Sequence, residues 1–457
     1  MNQFAASEHF AIEDIAQWIT SNNSSADYAE TAIESFIDTI ACIAAGSDAD
    51  LTKRLHAGFG SGGSGDAPVF FSNFSQNPST AALLNATAGH ALELDDWDKA
   101  TEAHMSVAIL PALLALSKKA NASGSKLVDA FIVGLEAGMC CGKALNPCHL
   151  SRGWHPTSTI GALGAAAACS RLLGLTTNET ANALSLATTN AGLKCQIGTT
   201  GKALHAGFAS QTGLQCAVMA SQSITASPSA FDGAGGIQQL LSSPSSPGFQ
   251  VTIPRLGQGY YLESYGLVRK LYPTCGIMHR PIDGTLEILS QNDLSADDVA
   301  SVTVTGDAEE FAICGIANPT SAAQARFSIA FGVAAALCRG GVTLADLDDQ
   351  TFVDPDYRRA LAKVRVLTFG DAGQSAHQGS YRPVHVDLMT QAGESIENEV
   401  AYARGWPEAP LLRNEVEQKF VTYVSPKLGR PRTDALLKML CNIETLPSVD
   451  PIIKTIS

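Results

Sequence analysis

The chain has 457 residues, 45% of them hydrophobic and 16% charged, with a formal net charge of -14. A length of this order holds about two to four domains with sizeable cores. The acidic balance argues against a nucleic-acid partner, which needs a basic footprint, and obliges any anionic ligand to be met by a local cluster of positive charge.

Residues 1–15 carry no basic segment followed by an apolar core, and Glu8, Glu13 and Asp14 interrupt them, so no signal peptide is expected there. No stretch reads as a membrane span. Eleven cysteines, odd in number and irregular in spacing, do not form a disulfide framework, and a cytoplasmic location is expected. Cys140, Cys141, Cys148 and His149 form the tightest such group, but they lack paired Cys-x-x-Cys knuckles and read as small structural residues rather than a zinc site.

Residues 11–45 carry two helical stripes, one of Ile12, Ile15, Trp18 and Ile19, the other of Ala32, Ile33, Phe36, Ile37, Ile40 and Ala41. A helix is expected over 51–57. The glycine-rich run 58–65 that follows has neither a preceding strand nor a following Lys-Ser/Thr, so it reads as a connection and not a phosphate loop. Helical patterning continues over 79–92, 127–145, 178–191 and 213–224. The nucleophile elbow, the His-Glu-x-x-His zinc motif and the kinase set are all missing.

Three long runs of small and apolar residues each follow one basic side chain: 105–116 after His104, 156–170 after His155 and 203–213 after Lys202. Each reads as a buried helix whose start carries an acid–base group, and a helix start favours an anion. Pro156 suits the first turn of the second helix. A lysine entering an Ala/Gly-rich helix is partly desolvated, which lowers the pKa of an amine; a snorkelling surface lysine is the alternative. Glu93, Asp95, Asp96 and Asp98 fall at the end of the helix over 79–92, where the dipole disfavours negative charge. A solvated acidic turn and a carboxylate that orients His104 both remain open.

After the loop-forming run 242–248 the pattern changes. Period-two alternation over 301–305, 364–369, 384–389 and 395–400 predicts strands with one buried face, with helices over 282–290, 322–337 and 356–362 between them. Arg269, Lys270, His279 and Arg280 gather basic charge around a proline turn, either for carboxylate binding or as a charged hinge. Helices return over 414–423 and 433–444. The expected fold is mainly α with an α+β second domain: a large helical bundle of residues 1–266 and 402–457, and a smaller α+β domain of residues 267–401.

Read together, Gly89-His-Ala-Leu-Glu-Leu-Asp-Asp96 with His104, Gly153-Trp-His-Pro156, Lys202-Ala-Leu-His-Ala-Gly207, Tyr272-Pro-Thr-Cys-Gly276 and Ala325-Arg326 resemble the MmgE/PrpD family from about residue 15 to about residue 446. The family includes 2-methylcitrate dehydratase, cis-aconitate decarboxylase and iminodisuccinate epimerase. The resemblance implies a helical domain with an α+β lid, a homodimer, and a site between the two domains with neither metal nor cofactor. It implies catalytic roles for His104, His155 and Lys202. Glu93, Asp95, Lys270, Cys275, His279 and Arg326 would bind a small polycarboxylate. The chain departs from the decarboxylase pattern at Glu93, which stands for Asp, at Cys275, which stands for His, and near Ile313, where an apolar residue stands for Tyr. These departures favour a cofactor-independent, iminodisuccinate-type epimerase. A 2-methylcitrate-dehydratase-type lyase comes second, cis-aconitate decarboxylation third, and a non-catalytic carboxylate binder is the reading outside enzymes.

Overall fold

The computed structural model describes residues 9–22, 25–59, 65–348, 350–371 and 382–457; residues 60–64 of the glycine-rich connection lie outside them. The fold is mainly α. It divides into a helical unit of Met1–Cys195, Gly201–Leu267 and Leu412–Ser457, and an α+β unit of Gln196–Thr200 and Val268–Leu411.

The helical unit is built on α1 (Ala11–Ser21), α2 (Ala29–Gly46), α3 (Pro78–His90), α4 (Met105–Ala120), α5 (Gly124–Leu145), α6 (Pro156–Leu173), α7 (Thr177–Ala187) and α8 (Ala203–Ala220). Their ends are set locally. Asn77 accepts a hydrogen bond from the Thr80 N–H ahead of Pro78, and Gly174 closes α6 in the left-handed conformation at φ 66°. Helix α6 lies against α5 and α8, and small residues permit the approach. A Cβ on Gly134 would stand 2.5 Å from Ala168 Cβ, and one on Gly207 would stand 2.1 Å from Thr87 Oγ1. The Ala/Gly runs therefore serve backbone proximity in a close-packed interior.

The chain returns to this unit through α12 (Arg413–Leu428) and α13 (Arg430–Cys441), and α12 packs on α2. Lys419 of α12 is almost wholly buried, with Nζ 2.6 Å from Asp38 Oδ1 and 2.7 Å from the Leu94 carbonyl.

Among the described residues the α+β unit holds a four-stranded sheet of β1 (Val299–Gly306), β2 (Val364–Thr368), β3 (Val384–Thr390) and β4 (Ser395–Val400), in the order β2-β1-β3-β4. β1 runs parallel to β2 and antiparallel to β3, and β3 runs antiparallel to β4. Val302, Val304, Val384, Val386 and Leu388 are fully buried beside residues of α9 (His279–Gln291), α10 (Ile329–Arg339) and α11 (Pro355–Ala362). Each such burial contributes about 1.5–3 kcal/mol. The sequence predicts a buried face for every strand, but β2 has no fully buried residue and β4 has only Val400, because both lie at the sheet edges. The helix expected over 322–337 is two pieces, Ala322–Ala325 and α10, because Ser328 accepts a hydrogen bond from the Phe331 N–H and starts a new helix.

Candidate active site

His104, His155 and Lys202 each stand immediately before the first residue of α4, α6 and α8, and none of their side chains caps its own helix. The imidazoles and the amine are thus left for other partners. All three residues are buried. Helices α4, α6 and α8 bring them together within the helical unit, with the turn after α3 as the fourth side.

That turn holds the four carboxylates, and it is not a solvated acidic loop. Glu93, Asp95, Asp96 and Asp98 are at most 4% exposed. Glu93 sits at φ 55°, a left-handed conformation that turns the chain sharply after the helix, and its carboxylate pairs with the Lys202 ammonium. Asp96 accepts from the Ser106 hydroxyl at 2.6 Å. Asp98 accepts from the Thr101 N–H at 2.8 Å and the Thr101 hydroxyl at 2.5 Å, yet its burial pushes its pKa up to about 7.

Two histidines that sequence reasoning left without a role complete the cluster. His90, the last residue of α3, has Nε2 2.9 Å from Lys202 Nζ and Nδ1 2.8 Å from Asp95 Oδ2. His104 Nδ1 lies 3.1 Å from the same Asp95 oxygen, and the His90 and His104 rings meet edge-on at 4.4 Å. Glu93, Lys202, His90, Asp95 and His104 thus form one continuous polar chain. With Lys202 donating to His90 Nε2, the His90 proton sits on Nδ1 and is donated to Asp95. Burial pushes the Asp95 pKa up, but the two imidazoles outweigh it and hold the carboxyl well below the ordinary range.

His205 lies one turn beyond Lys202 on α8 and meets His155 Nδ1 to Nδ1 at 2.8 Å. Burial first, and then Lys202, His205, His90 and His104, hold His155 well below its ordinary pKa, so it is neutral at pH 7. The Lys202–His205 spacing is a visible signal for one face of a helix. His90 has none beyond its place in a motif, since its partner Lys202 is 112 residues away.

Among the described residues one set of donors has metal-compatible spacing, His90, Asp95 and His104, whose ligand atoms lie within 4.8 Å of one another. Both imidazoles approach a single Asp95 oxygen at 2.8 and 3.1 Å, which is hydrogen-bond spacing. The cysteines are free thiols, and His149 is held by Thr159 at 2.7 Å.

Lys270, Cys275, His279 and Arg326 belong to the α+β unit. Lys270 is 1% exposed, and the Cys275 N–H donates to the Arg326 carbonyl at 2.9 Å. His279 is fully buried at the start of α9, edge-on to Tyr272. The basic gathering read over 269–280 is reduced at Arg280, whose guanidinium pairs with Glu310 and donates to the Arg382 carbonyl. Ile313 packs against the apolar core of this unit.

No helix among the described residues is long and apolar enough to cross a membrane. The model of the MmgE/PrpD N-terminal domain matches residues 13–250, and that of the C-terminal domain matches residues 272–444. A cis-aconitate decarboxylase-like protein (oryM) of Aspergillus oryzae is 27% identical over 97% of this chain and 96% of its own length. The cis-aconitate decarboxylase of Homo sapiens is 27% identical over 81% of this chain and 77% of its own. That of Aspergillus terreus is 25% identical over 83% of this chain and 81% of its own.

Proposed function

Because the chain belongs to the MmgE/PrpD family, we propose that it is an enzyme that moves a proton at a carbon next to a carboxylate of a small di- or tricarboxylate, with lyase chemistry as the first reading. The observation that carries the proposal is the buried chain Glu93–Lys202–His90–Asp95–His104 with neutral His155 beside it. A binding protein needs positive charge for a polyanion. It does not need acid–base groups joined to one another by hydrogen bonds.

In this reading His155 Nε2 or Lys202 takes or returns the proton at carbon, and His104, oriented by Asp95, acts as the second acid–base group. Lys202, once its carboxylate partner shifts toward the substrate, also stabilises the enolate-like charge that develops. Lys270 and Arg326 are assigned to substrate carboxylates, with Cys275 and His279 lining the substrate. Relatives named as decarboxylases favour the lyase over the epimerase expected from the departures at Glu93, Cys275 and Ile313. The epimerase remains the second reading, favoured by two acid–base groups, Lys202 and His104, held through separate carboxylates. A cytoplasmic homodimer belongs to the same proposal.

The test is incubation with cis-aconitate, 2-methylcitrate and iminodisuccinate in D2O, followed by NMR. Loss of CO2 with deuterium at carbon, or loss of water to give an alkene, supports the lyase. Deuterium entering an unchanged skeleton with inversion supports the epimerase. Binding with neither exchange nor product overturns the enzyme reading.

A further inference from the structure

The His155–His205 contact has a constraint of its own. At 2.8 Å between two Nδ1 atoms, one ring must donate and the other accept, so a single proton occupies the bond. Each ring leaves its Nε2 without a hydrogen-bond partner among the described residues. His155 is held in place at the backbone, where its N–H donates to the Gly192 carbonyl at 2.9 Å. His205 is fixed by α8, one turn from Lys202. His205 keeps 7% of its surface exposed, against 4% for His155.

We propose that His205 acts through His155 as a proton relay that connects the acid–base site to solvent. The inference rests on the reading above, that His155 exchanges a proton with the substrate. When His155 Nε2 takes a proton, its Nδ1–H passes to His205 Nδ1. One N–H bond forms and one breaks, His155 is again neutral with its proton on Nε2, and His205 carries the charge. His205 then loses its Nε2–H to water. One proton has entered at His155 Nε2 and one has left at His205 Nε2. Run backwards, the same sequence delivers a solvent proton to a substrate carbon and returns the two rings to their starting tautomers.

The surroundings favour the direction of transfer. Lys202, His90 and His104 crowd His155 with positive or protonatable groups and disfavour a lasting imidazolium there. Burial first, and then His90 and Lys202, lower the pKa of His205 to about 4, so both rings are neutral at pH 7 and the cation on His205 is short-lived.

The test uses the full chain with His205→Asn and His205→Phe. Asn keeps a donor and acceptor near the Nδ1 position but cannot pass a proton through, and Phe keeps ring volume. With cis-aconitate as probe, both variants are expected to lose about 10- to 100-fold in kcat with KM within about twofold, and free imidazole is expected to restore part of the rate. Unchanged kcat, or a loss that appears in KM and is not rescued by imidazole, overturns the relay. A second readout needs no turnover. In the 15N spectrum of histidine-labelled protein, one Nδ1 of the pair is expected at the protonated position and the other at the bare position. Two Nδ1 signals that are both protonated or both bare overturn the shared proton even if cis-aconitate proves not to be the substrate.

Discussion

Lys202 Nζ lies 2.9 Å from His90 Nε2, so the lysine that opens α8 and the histidine that closes α3 share a hydrogen bond inside the helical unit. Through Asp95, the same histidine reaches His104. His90 is the middle link between two groups that the spacing of apolar runs had picked out separately.

Replacing that link separates positioning from substrate binding. His90→Phe keeps a ring but removes both hydrogen bonds, and kcat is expected to fall by about 100-fold or more while KM changes little. Steady-state kinetics beside a thermal melt checks this. A large rise in KM with kcat intact contradicts it.

The Glu93–Lys202 pair is buried on both sides, with the side chains 5% and 6% exposed. Removing one partner leaves an uncompensated charge, at a cost of about 3–5 kcal/mol. Glu93→Gln and Lys202→Met should each lower the melting temperature clearly. The double variant should recover most of that loss and remain inactive. Additive losses in the double variant speak against direct coupling.

Lys419 ties the returning helix α12 to the Leu94 carbonyl, beside the turn that carries Glu93 and Asp95. Lys419→Met strands Asp38 and frees that carbonyl. A fall in stability of about 3 kcal/mol or more is expected, with kcat lowered more than the loss of folded protein accounts for. Activity per folded molecule equal to wild type limits Lys419 to a structural role.

Glu136 on α5 accepts the N–H groups of Tyr261 at 2.5 Å and Leu262 at 3.1 Å, and burial pushes its pKa up to about 7. A folded-state pKa above the unfolded value means that the native state holds the extra proton. Stability from this group is full below about pH 4.5 and is lost as pH rises through about 7. The change is on the order of 3 kcal/mol. Glu136→Gln keeps an acceptor for one of the two amides and cannot ionise, so its stability relative to wild type should be greater at pH 8 than at pH 5 in urea melts. A difference that does not change with pH removes Glu136 as the source.

Local sequence already places much of the candidate site. His104, His155 and Lys202 were found from apolar runs that begin right after them, because a helix start is written in neighbouring residues. Glu93, Asp95, Asp96 and Asp98 were equally visible, but whether they faced water was not, since burial depends on the distant helix that brings Lys202 to Glu93 as well as on the nearby His90, Ser106 and Thr101. The half-exposed faces of β2 and β4 escaped prediction for a similar reason: alternation marks a strand, while its place at the edge of a sheet is set by pairing order.

The sequence by itself determined the helices, their small-residue faces and the three basic residues at their starts, because propensity, capping and periodicity act over a few neighbours. Only the tertiary structure decided that Lys202 and His104 share one polar chain with His90 as its link, and that His205 stands at the side of His155. Those contacts join positions 50 and 112 residues apart. They exist only because glycine and alanine let α3, α6 and α8 approach closely enough for their ends to meet.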